Sequence, residues 1–166
     1  MRYDVAYDRA QEFLGALAPI AEAAGVNLAI ENVWNKFLLS PLEMRRIIDD
    51  VGSDRIGVYF DIGNIMLYGY PEHWIDILGG RIHRIHLKDF DRSIGGLRGF
   101  VDIGHGDVDW EAVGAALNRA AYRGPLTAEV FPSESERADL PAYVKKVGSQ
   151  VVGVLARIER GAVAGA

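Results

Sequence analysis

The sequence predicts an α/β fold in which about four parallel strands and their flanking helices form part of a (β/α)8 barrel. A short apolar run followed by a helical pattern recurs along the 166 residues, and repeated units of this kind build parallel sheets with right-handed crossovers. Each run also ends in, or carries, a side chain that can bind a metal. Because ligands of parallel sheets bind at the carboxyl ends of the strands, these side chains are expected to meet at one edge.

Composition indicates a globular protein with one hydrophobic core. Hydrophobic residues make up 49% of the sequence, and the length favours a single domain over residues 1–166. The net charge of -5, without a cluster of Lys or Arg, argues against a nucleic-acid partner. The start lacks the pattern of a signal peptide and no apolar run is long enough to span a membrane, so we expect a cytoplasmic protein with no membrane partner. Since there is no cysteine, carboxylate and imidazole groups must hold any metal.

The first part of the chain reads as helix, strand and helix. Apolar residues recur at helical spacing over residues 5–24, and Gly25 follows at the position of a C-terminal cap. Residues 26–31 form a short apolar run, which is typical of a strand buried on both faces. The next loop contains Trp34, which is available to wall a pocket. A helix is predicted over residues 40–51 because its first residues, SPLE, combine a capping box with proline at the first helical position.

The rest of the chain repeats the unit of strand and helix. Further apolar runs rich in β-branched residues predict strands at 56–61, 82–88 and 126–130. Helical patterns predict helices at 71–78, 110–121 and 140–160. Asp109 stands at the N-cap position of the second of these helices. A long polar loop is expected over 89–107, and the last six residues, GAVAGA, are expected to form a frayed tail.

Four side chains at equivalent strand ends form a candidate metal site. These four candidate ligands are Glu31, Asp61, His86 and Glu129. A carboxylate at the end of a buried apolar strand needs a cation or hydrogen-bond donors to offset its desolvation. Asp61 by itself has a second explanation, as the cap of the turn that follows it. Three carboxylates and one imidazole at homologous strand ends nevertheless favour one shared metal site.

Alternation along the strands separates a polar face from an aliphatic one. If the four candidate ligands point to one side, that side also receives small and polar residues, whereas the other side is almost uniformly aliphatic. A barrel has this pattern, because its lumen is filled by one face and its helices pack on the other. An open doubly wound sheet is aliphatic on both faces. The further residues on the polar side are Asn27, Ala29, Gly57, Tyr59, Arg84 and Thr127.

The motifs around the candidate ligands resemble those of the sugar isomerase and epimerase superfamily with the xylose isomerase-like TIM barrel. They are IEN at 30–32, FDIGN at 60–64, IHLKD at 85–89, GHGDVDW at 104–110 and AEV at 128–130. Their order and spacing are similar to the last four strands of L-ribulose-5-phosphate 3-epimerase and D-tagatose 3-epimerase-type enzymes. The resemblance therefore implies the C-terminal half of a TIM barrel.

The resemblance also implies roles for individual residues. The four candidate ligands would bind one divalent metal ion, manganese, cobalt, magnesium or zinc, and Glu31 and Glu129 would in addition form the acid/base pair. The guanidinium of Arg92 would contact a substrate oxygen. Asn64 stands where some relatives have a substrate-contacting histidine, so it is a further candidate for substrate binding together with Trp34.

The implied function is a divalent-metal-dependent isomerase or epimerase of a ketose or sugar phosphate, with proton transfer through a metal-stabilised enediolate. Two alternatives stay open. One is an inosose-type dehydratase of the same superfamily, which would use the same metal to eliminate water. The other is a noncatalytic, truncated remnant or binding subunit that retains the fold.

The length of the chain conflicts with a complete barrel. A TIM barrel needs at least about 200 residues, so the N-terminal strands are expected to be missing and the outer strands to have unpaired edges. A truncated reading frame is the first explanation. A half-barrel that forms a homo-oligomer, or that pairs with a separate N-terminal half, is the second. The isolated chain is expected to keep its metal ligands but to have little or no activity.

Overall fold

The computed structural model describes residues 1–164, which form six α-helices and six β-strands. The helices are α1 (Tyr3–Ala24), α2 (Pro41–Val51), α3 (Ile62–Ile65), α4 (Pro71–Leu78), α5 (Trp110–Arg119) and α6 (Leu140–Ala164). The strands are β1 (Leu28–Glu31), β2 (Ile56–Asp61), β3 (Ile82–Leu87), β4 (Asp89–Phe90), β5 (Phe100–Val101) and β6 (Leu126–Ala128). Among residues 1–164, every helix is too short or too polar to cross a membrane.

The main sheet has four parallel strands in the order β1-β2-β3-β6. The predicted α/β architecture of four parallel strands with flanking helices is therefore confirmed. Both outer strands, β1 and β6, form edges of this sheet. The long loop predicted over 89–107 contains the short antiparallel ribbon of β4 and β5 and a 3-10 turn at Leu97–Gly99.

The core lies between the aliphatic face of the sheet and the helices. In the two central strands Val58, Phe60 and Ile85 are fully buried, whereas Tyr59 is half-buried and Arg84 is exposed. The central strands β2 and β3 thus show the alternation between buried and exposed side chains that the sequence predicts. Burial of the aliphatic face drives the packing of the helices, because apolar surface removed from water stabilises the fold.

The start of β1 differs from the prediction because of the C-terminal cap of α1. The prediction of a strand from residue 26 is wrong by two residues, because the N–H of Val26 donates to the carbonyl of Ala21 and completes the C-terminal cap at Gly25. Val26 is accordingly 50% exposed. In contrast, Ser40 caps α2 as predicted, since its hydroxyl accepts from the N–H of Glu43.

The end of α6 also differs from the prediction, because the helix packs against α5. The prediction of a frayed tail is wrong for residues 161–164, which continue α6. Gly161 is buried against α5, where a Cβ atom would lie 2.6 Å from the carbonyl carbon of Glu111. Contact with α5 therefore extends the helix beyond the periodic pattern. Residues 165 and 166 of the predicted tail lie outside the described residues.

Candidate metal centre

The carboxyl ends of the sheet bring the four candidate ligands together. Each residue offers one ligand atom, and these atoms all lie within 4.8 Å of one another. The parallel register places Asp61 directly beside His86. Glu31 ends β1, and Glu129 follows β6, where its N–H donates to the carbonyl of Leu87 at 3.1 Å. Residues separated by up to 98 positions thus meet because parallel strands end at the same edge (129 − 31).

One imidazole nitrogen lies at the middle of the three carboxylates. His86 Nδ1 is 3.2 Å from Glu31 Oε1, 3.4 Å from Glu129 Oε2 and 3.6 Å from Asp61 Oδ2. The contact with Asp61 and the charges of the two glutamates raise the pKa of His86, outweighing the opposite effect of burial. Three carboxylates and one imidazole are a donor set that suits Mn, Co, Mg or Zn ions. Their convergence within 4.8 Å of one another fits one divalent ion.

Asp61 is held by two asparagines. The side chain of Asn32 forms two hydrogen bonds of 2.8 Å with the backbone N–H and carbonyl of Asp61. The N–H of Asn64 donates to Asp61 Oδ1 at 2.7 Å, so Asp61 caps α3, while its other oxygen faces His86. The capping explanation and the ligand explanation are therefore compatible, since each uses a different oxygen. Asn32 was missed in the sequence, although it immediately follows Glu31 in the IEN motif.

Lys88 is a second residue that sequence reasoning missed. Its ammonium lies 2.7 Å from Glu129 Oε2 and 3.4 Å from Asp61 Oδ2. Burial lowers the pKa of Lys88, but the charges of Asp61 and Glu129 outweigh it and raise the pKa overall. Alternation was the available signal, because Lys88 is two residues beyond His86 and so points to the same face of the sheet.

The two glutamates have different environments. Burial raises the pKa of Glu31, with further upward contributions from the charges of Asp61 and Glu129. Burial also pushes the pKa of Glu129 upward, but the hydrogen bond from Lys88 and contact with Asp61 lower it overall. Lys88 thus lowers the pKa of Glu129 and favours the ionised form of that glutamate.

A pocket of 590 Å³ opens beside the four candidate ligands. We call it the main pocket. Glu31, Glu129 and Lys88 supply its polar side, and aromatic rings supply much of the rest. The aromatic residues that line it are Trp34, Phe100, Phe131 and Tyr143.

Two of the three predicted substrate-binding residues line the main pocket. Trp34 Nε1 donates to the carbonyl of Asn64 at 2.7 Å, and its ring stacks on Phe100 with centroids 4.9 Å apart. Asn64 itself donates through its amide to the carbonyl of Asn32 at 2.9 Å. These bonds fix both side chains at the pocket wall, beside the candidate ligands.

Arg92 lies in a different groove. This groove has a volume of 280 Å³ and includes Met66, Gly69 and Tyr70. The Nε and Nη2 atoms of Arg92 donate to the carbonyls of Met66 and Gly69 at 3.1 and 2.9 Å, and its guanidinium carbon is 5.2 Å from the centre of the Tyr70 ring. The structure therefore does not bring Arg92 to the main pocket, and its contact with substrate stays a prediction.

Asp89 anchors the loop that borders the main pocket. Its carboxylate is fully buried and accepts from four N–H groups. They are the backbone N–H groups of Phe90, Gly104 and Val108 and the indole N–H of Trp110. A buried carboxylate with this many donors orders a segment that has little regular structure of its own.

A comparison with known proteins identifies the family. A profile of the Xylose isomerase-like TIM barrel family matches residues 1–147. The chain belongs to this family. The resemblance seen in the sequence motifs is thus confirmed for this xylose isomerase-like chain. A protein of Escherichia coli strain K12 that is provisionally named an L-ribulose-5-phosphate 3-epimerase is 31% identical to it over 146 residues, which are 81% of this chain and 51% of the relative.

Solved structures show the same architecture. The chain aligns with an L-ribulose 3-epimerase structure at 26% identity and a TM-score of 0.71, over 94% of this chain and 56% of that one. It aligns with the IOLI protein, solved with a zinc atom, at 20% identity and a TM-score of 0.81, over 95% of this chain and 59% of that one. The xylose isomerase-like chain spans about half the length of the curated relatives it matches.

Proposed function

We propose that this chain carries the metal centre of a divalent-metal-dependent isomerase or epimerase that acts on a ketose or sugar phosphate. The convergence of three carboxylates and one imidazole within 4.8 Å, beside a pocket of 590 Å³, carries the proposal. Relatives with epimerase names support the reaction class. A zinc atom in the structure of the IOLI protein supports the metal.

Glu31, Asp61, His86 and Glu129 would hold one ion of manganese, cobalt, magnesium or zinc. When bound, such an ion supplies a Lewis acid that polarises a substrate carbonyl. The asparagine contacts to Asp61 support this arrangement, because groups that orient a ligand from outside the coordination sphere strengthen metal binding.

Differences in exposure favour the two glutamates as the acid/base pair. The side chains of Glu31 and Glu129 are 33% and 32% exposed and line the main pocket, whereas Asp61 is completely buried. The glutamates lie at opposite edges of the sheet, so they approach the pocket from two sides. One carboxylate would remove a proton from the carbon next to the carbonyl. Its return by the other, on the opposite face, inverts that carbon, which is epimerisation, and its return to the neighbouring carbon is isomerisation.

The aromatic side of the main pocket suits a sugar. Trp34 and Phe100 form a stacked pair there, and Asn64 borders them. The C–H face of a sugar packs on aromatic rings, while its hydroxyl groups need polar partners such as the amide of Asn64. These residues would orient the ketose so that its carbonyl faces the four candidate ligands.

Proton exchange in heavy water tests the proposal. The Mn²⁺-loaded chain would be incubated with L-ribulose, D-tagatose and L-ribulose 5-phosphate, and deuterium at the carbon next to the carbonyl would be measured by NMR. We expect slow exchange, in keeping with the low activity expected of the isolated chain, and we expect Glu129→Gln to abolish it while metal analysis shows the ion still bound. The exposed Glu134 offers a matched control, because Glu134→Gln changes the same group away from the centre.

Other outcomes separate the alternatives. Bound metal without exchange of any of these substrates would contradict the proposal and support a noncatalytic binding protein. Loss of water from an inosose, without exchange of the ketoses, would identify the dehydratase instead.

A further inference from the structure

We propose that Lys88 is a built-in cation that weakens metal binding at this centre, because a metal ion must displace its ammonium from Asp61 and Glu129. The inference rests on the proposed metal centre and deepens it. It assigns to Lys88 the control of metal affinity, in addition to any part that it has in binding a substrate.

The lysine and the imidazole share the same two oxygen atoms. Asp61 Oδ2 and Glu129 Oε2 lie 3.6 and 3.4 Å from His86 Nδ1. The same atoms lie 3.4 and 2.7 Å from the ammonium of Lys88. A metal ion bound among the candidate ligands needs lone pairs on these oxygens. The ammonium therefore occupies positions that the ion must take.

Burial makes this competition strong. The side chains of Asp61 and Lys88 are 0% and 10% exposed, so solvent screens their attraction poorly. An ammonium that stayed beside a divalent ion would repel it at short range. Both routes, displacement and repulsion, lower the affinity for the metal. Without either cation, three carboxylates would repel one another in a space of a few ångströms, so Lys88 also stabilises the metal-free protein.

Two aromatic rings lie close to the ammonium of Lys88 and could hold it after a metal ion displaces it. Lys88 Nζ is 4.6 Å from the centre of the Phe100 ring and 5.8 Å from that of Phe131. Both rings line the main pocket. Cations bind to aromatic faces at such distances. We therefore expect an ammonium displaced from the carboxylates to stay against these rings, where its N–H donors would face an oxygen of a bound substrate.

Metal titration of four variants tests the proposal. Lys88→Met keeps a long side chain without charge, Lys88→Gln is a second neutral variant, and Lys88→Arg keeps the charge. Lys145→Met is the matched control, since Lys145 is an exposed lysine of α6. The dissociation constant for Mn²⁺ would be measured by calorimetry, and the Tm would be measured with and without Mn²⁺.

We expect the neutral variants to bind Mn²⁺ about tenfold more tightly than the unsubstituted chain, or better. Lys145→Met should bind within about twofold of the unsubstituted chain. Lys88→Arg keeps the positive charge beside the carboxylates, so it should not bind more tightly than the unsubstituted chain. The metal-free neutral variants should have a lower Tm than the unsubstituted chain, and Mn²⁺ should restore it. A merely structural lysine would lower the Tm both with and without metal and would leave the affinity unchanged.

Each remaining outcome has one meaning. Equal or weaker binding of Mn²⁺ by folded neutral variants, when the unsubstituted chain binds it, would overturn the role of Lys88 and leave the metal centre standing. Binding of Mn²⁺ by the neutral variants alone would support the role of Lys88, because it would mean that the ammonium prevents metal binding in the unsubstituted chain. Binding by none of the proteins would refute both the metal centre and the role of Lys88.

Discussion

The crossing of α5 and α6 leaves no room for a methyl group on Gly114. A Cβ atom there would overlap the carbonyl oxygen of Ile158 and lie 2.7 Å from its carbonyl carbon. Gly161 makes the reciprocal close approach to the backbone of Glu111. The two glycines therefore set the distance between helices whose buried faces form one end of the core. We predict that Gly114→Ala destabilises the protein.

The magnitude follows from two opposing effects. Alanine in place of glycine favours a helix by about 1 kcal/mol. Against this, the methyl group meets backbone atoms, and restoring an ordinary contact requires the helices to separate by more than about 1 Å. Overpacking of a core costs about 1–3 kcal/mol and more where the neighbour cannot rotate away. We expect the free energy of unfolding to fall by about 2 kcal/mol net, which corresponds to a decrease in Tm of about 4–8 °C for a chain of this length.

Urea denaturation, followed by circular dichroism, measures this change. Gly153→Ala is the matched control, because Gly153 also lies in a helix of this pair and a Cβ atom there has no neighbour within 4 Å. That substitution should raise the free energy of unfolding by about 0.5–1 kcal/mol. The reasoning would be refuted by a Gly114→Ala protein as stable as the Gly153→Ala protein, since helix propensity would then outweigh packing.

Two further predictions concern buried and paired carboxylates. Asp89→Asn replaces one carboxylate oxygen with an NH2 group that faces two N–H donors, and it removes the charge that all four donors stabilise, so the free energy of unfolding in urea should fall by about 2–4 kcal/mol. A loss below about 0.5 kcal/mol would contradict this. Hydrogen bonds from Lys146 and Ser133 lower the pKa of Glu136 to about 2, from an ordinary value of 4.5. Its contribution to stability is therefore complete above the ordinary value and disappears as the pH falls through about 2. Glu136→Gln should accordingly show a smaller decrease in Tm than the unsubstituted chain from about pH 5 to about pH 2, and an equal decrease would speak against the pairing.

The strands and the candidate ligands were predictable from short stretches of sequence. Alternation and apolar runs identify β2 and β3 because side chains of a strand point to opposite faces. The rule that parallel strands end at one edge then relates Glu31 to Glu129 without any knowledge of the loops. The cap of α2 was predictable for the same reason, because Ser40 and Glu43 are neighbours in the chain.

Residues that act through distant partners were not predictable in this way. Alternation relates Lys88 to the face of His86, but its contacts with Asp61 and Glu129 form only in the folded chain. Asp89 reads as an ordinary loop residue until the fold brings Gly104 and Trp110 to it. Their partners are separated from them by 15 to 41 positions, so periodicity carries no trace of the contacts.

The sequence by itself determined the family, the parallel sheet and the set of four candidate ligands, because each depends on patterns of consecutive residues and on one rule about strand ends. Only the tertiary structure decided the position of Arg92, whose guanidinium is held by the carbonyls of Met66 and Gly69 rather than at the main pocket. It also decided that a lysine shares the oxygens of Asp61 and Glu129. Loop paths and charge pairs of this kind depend on long-range hydrogen bonds and on burial, which arise only when the chain is folded.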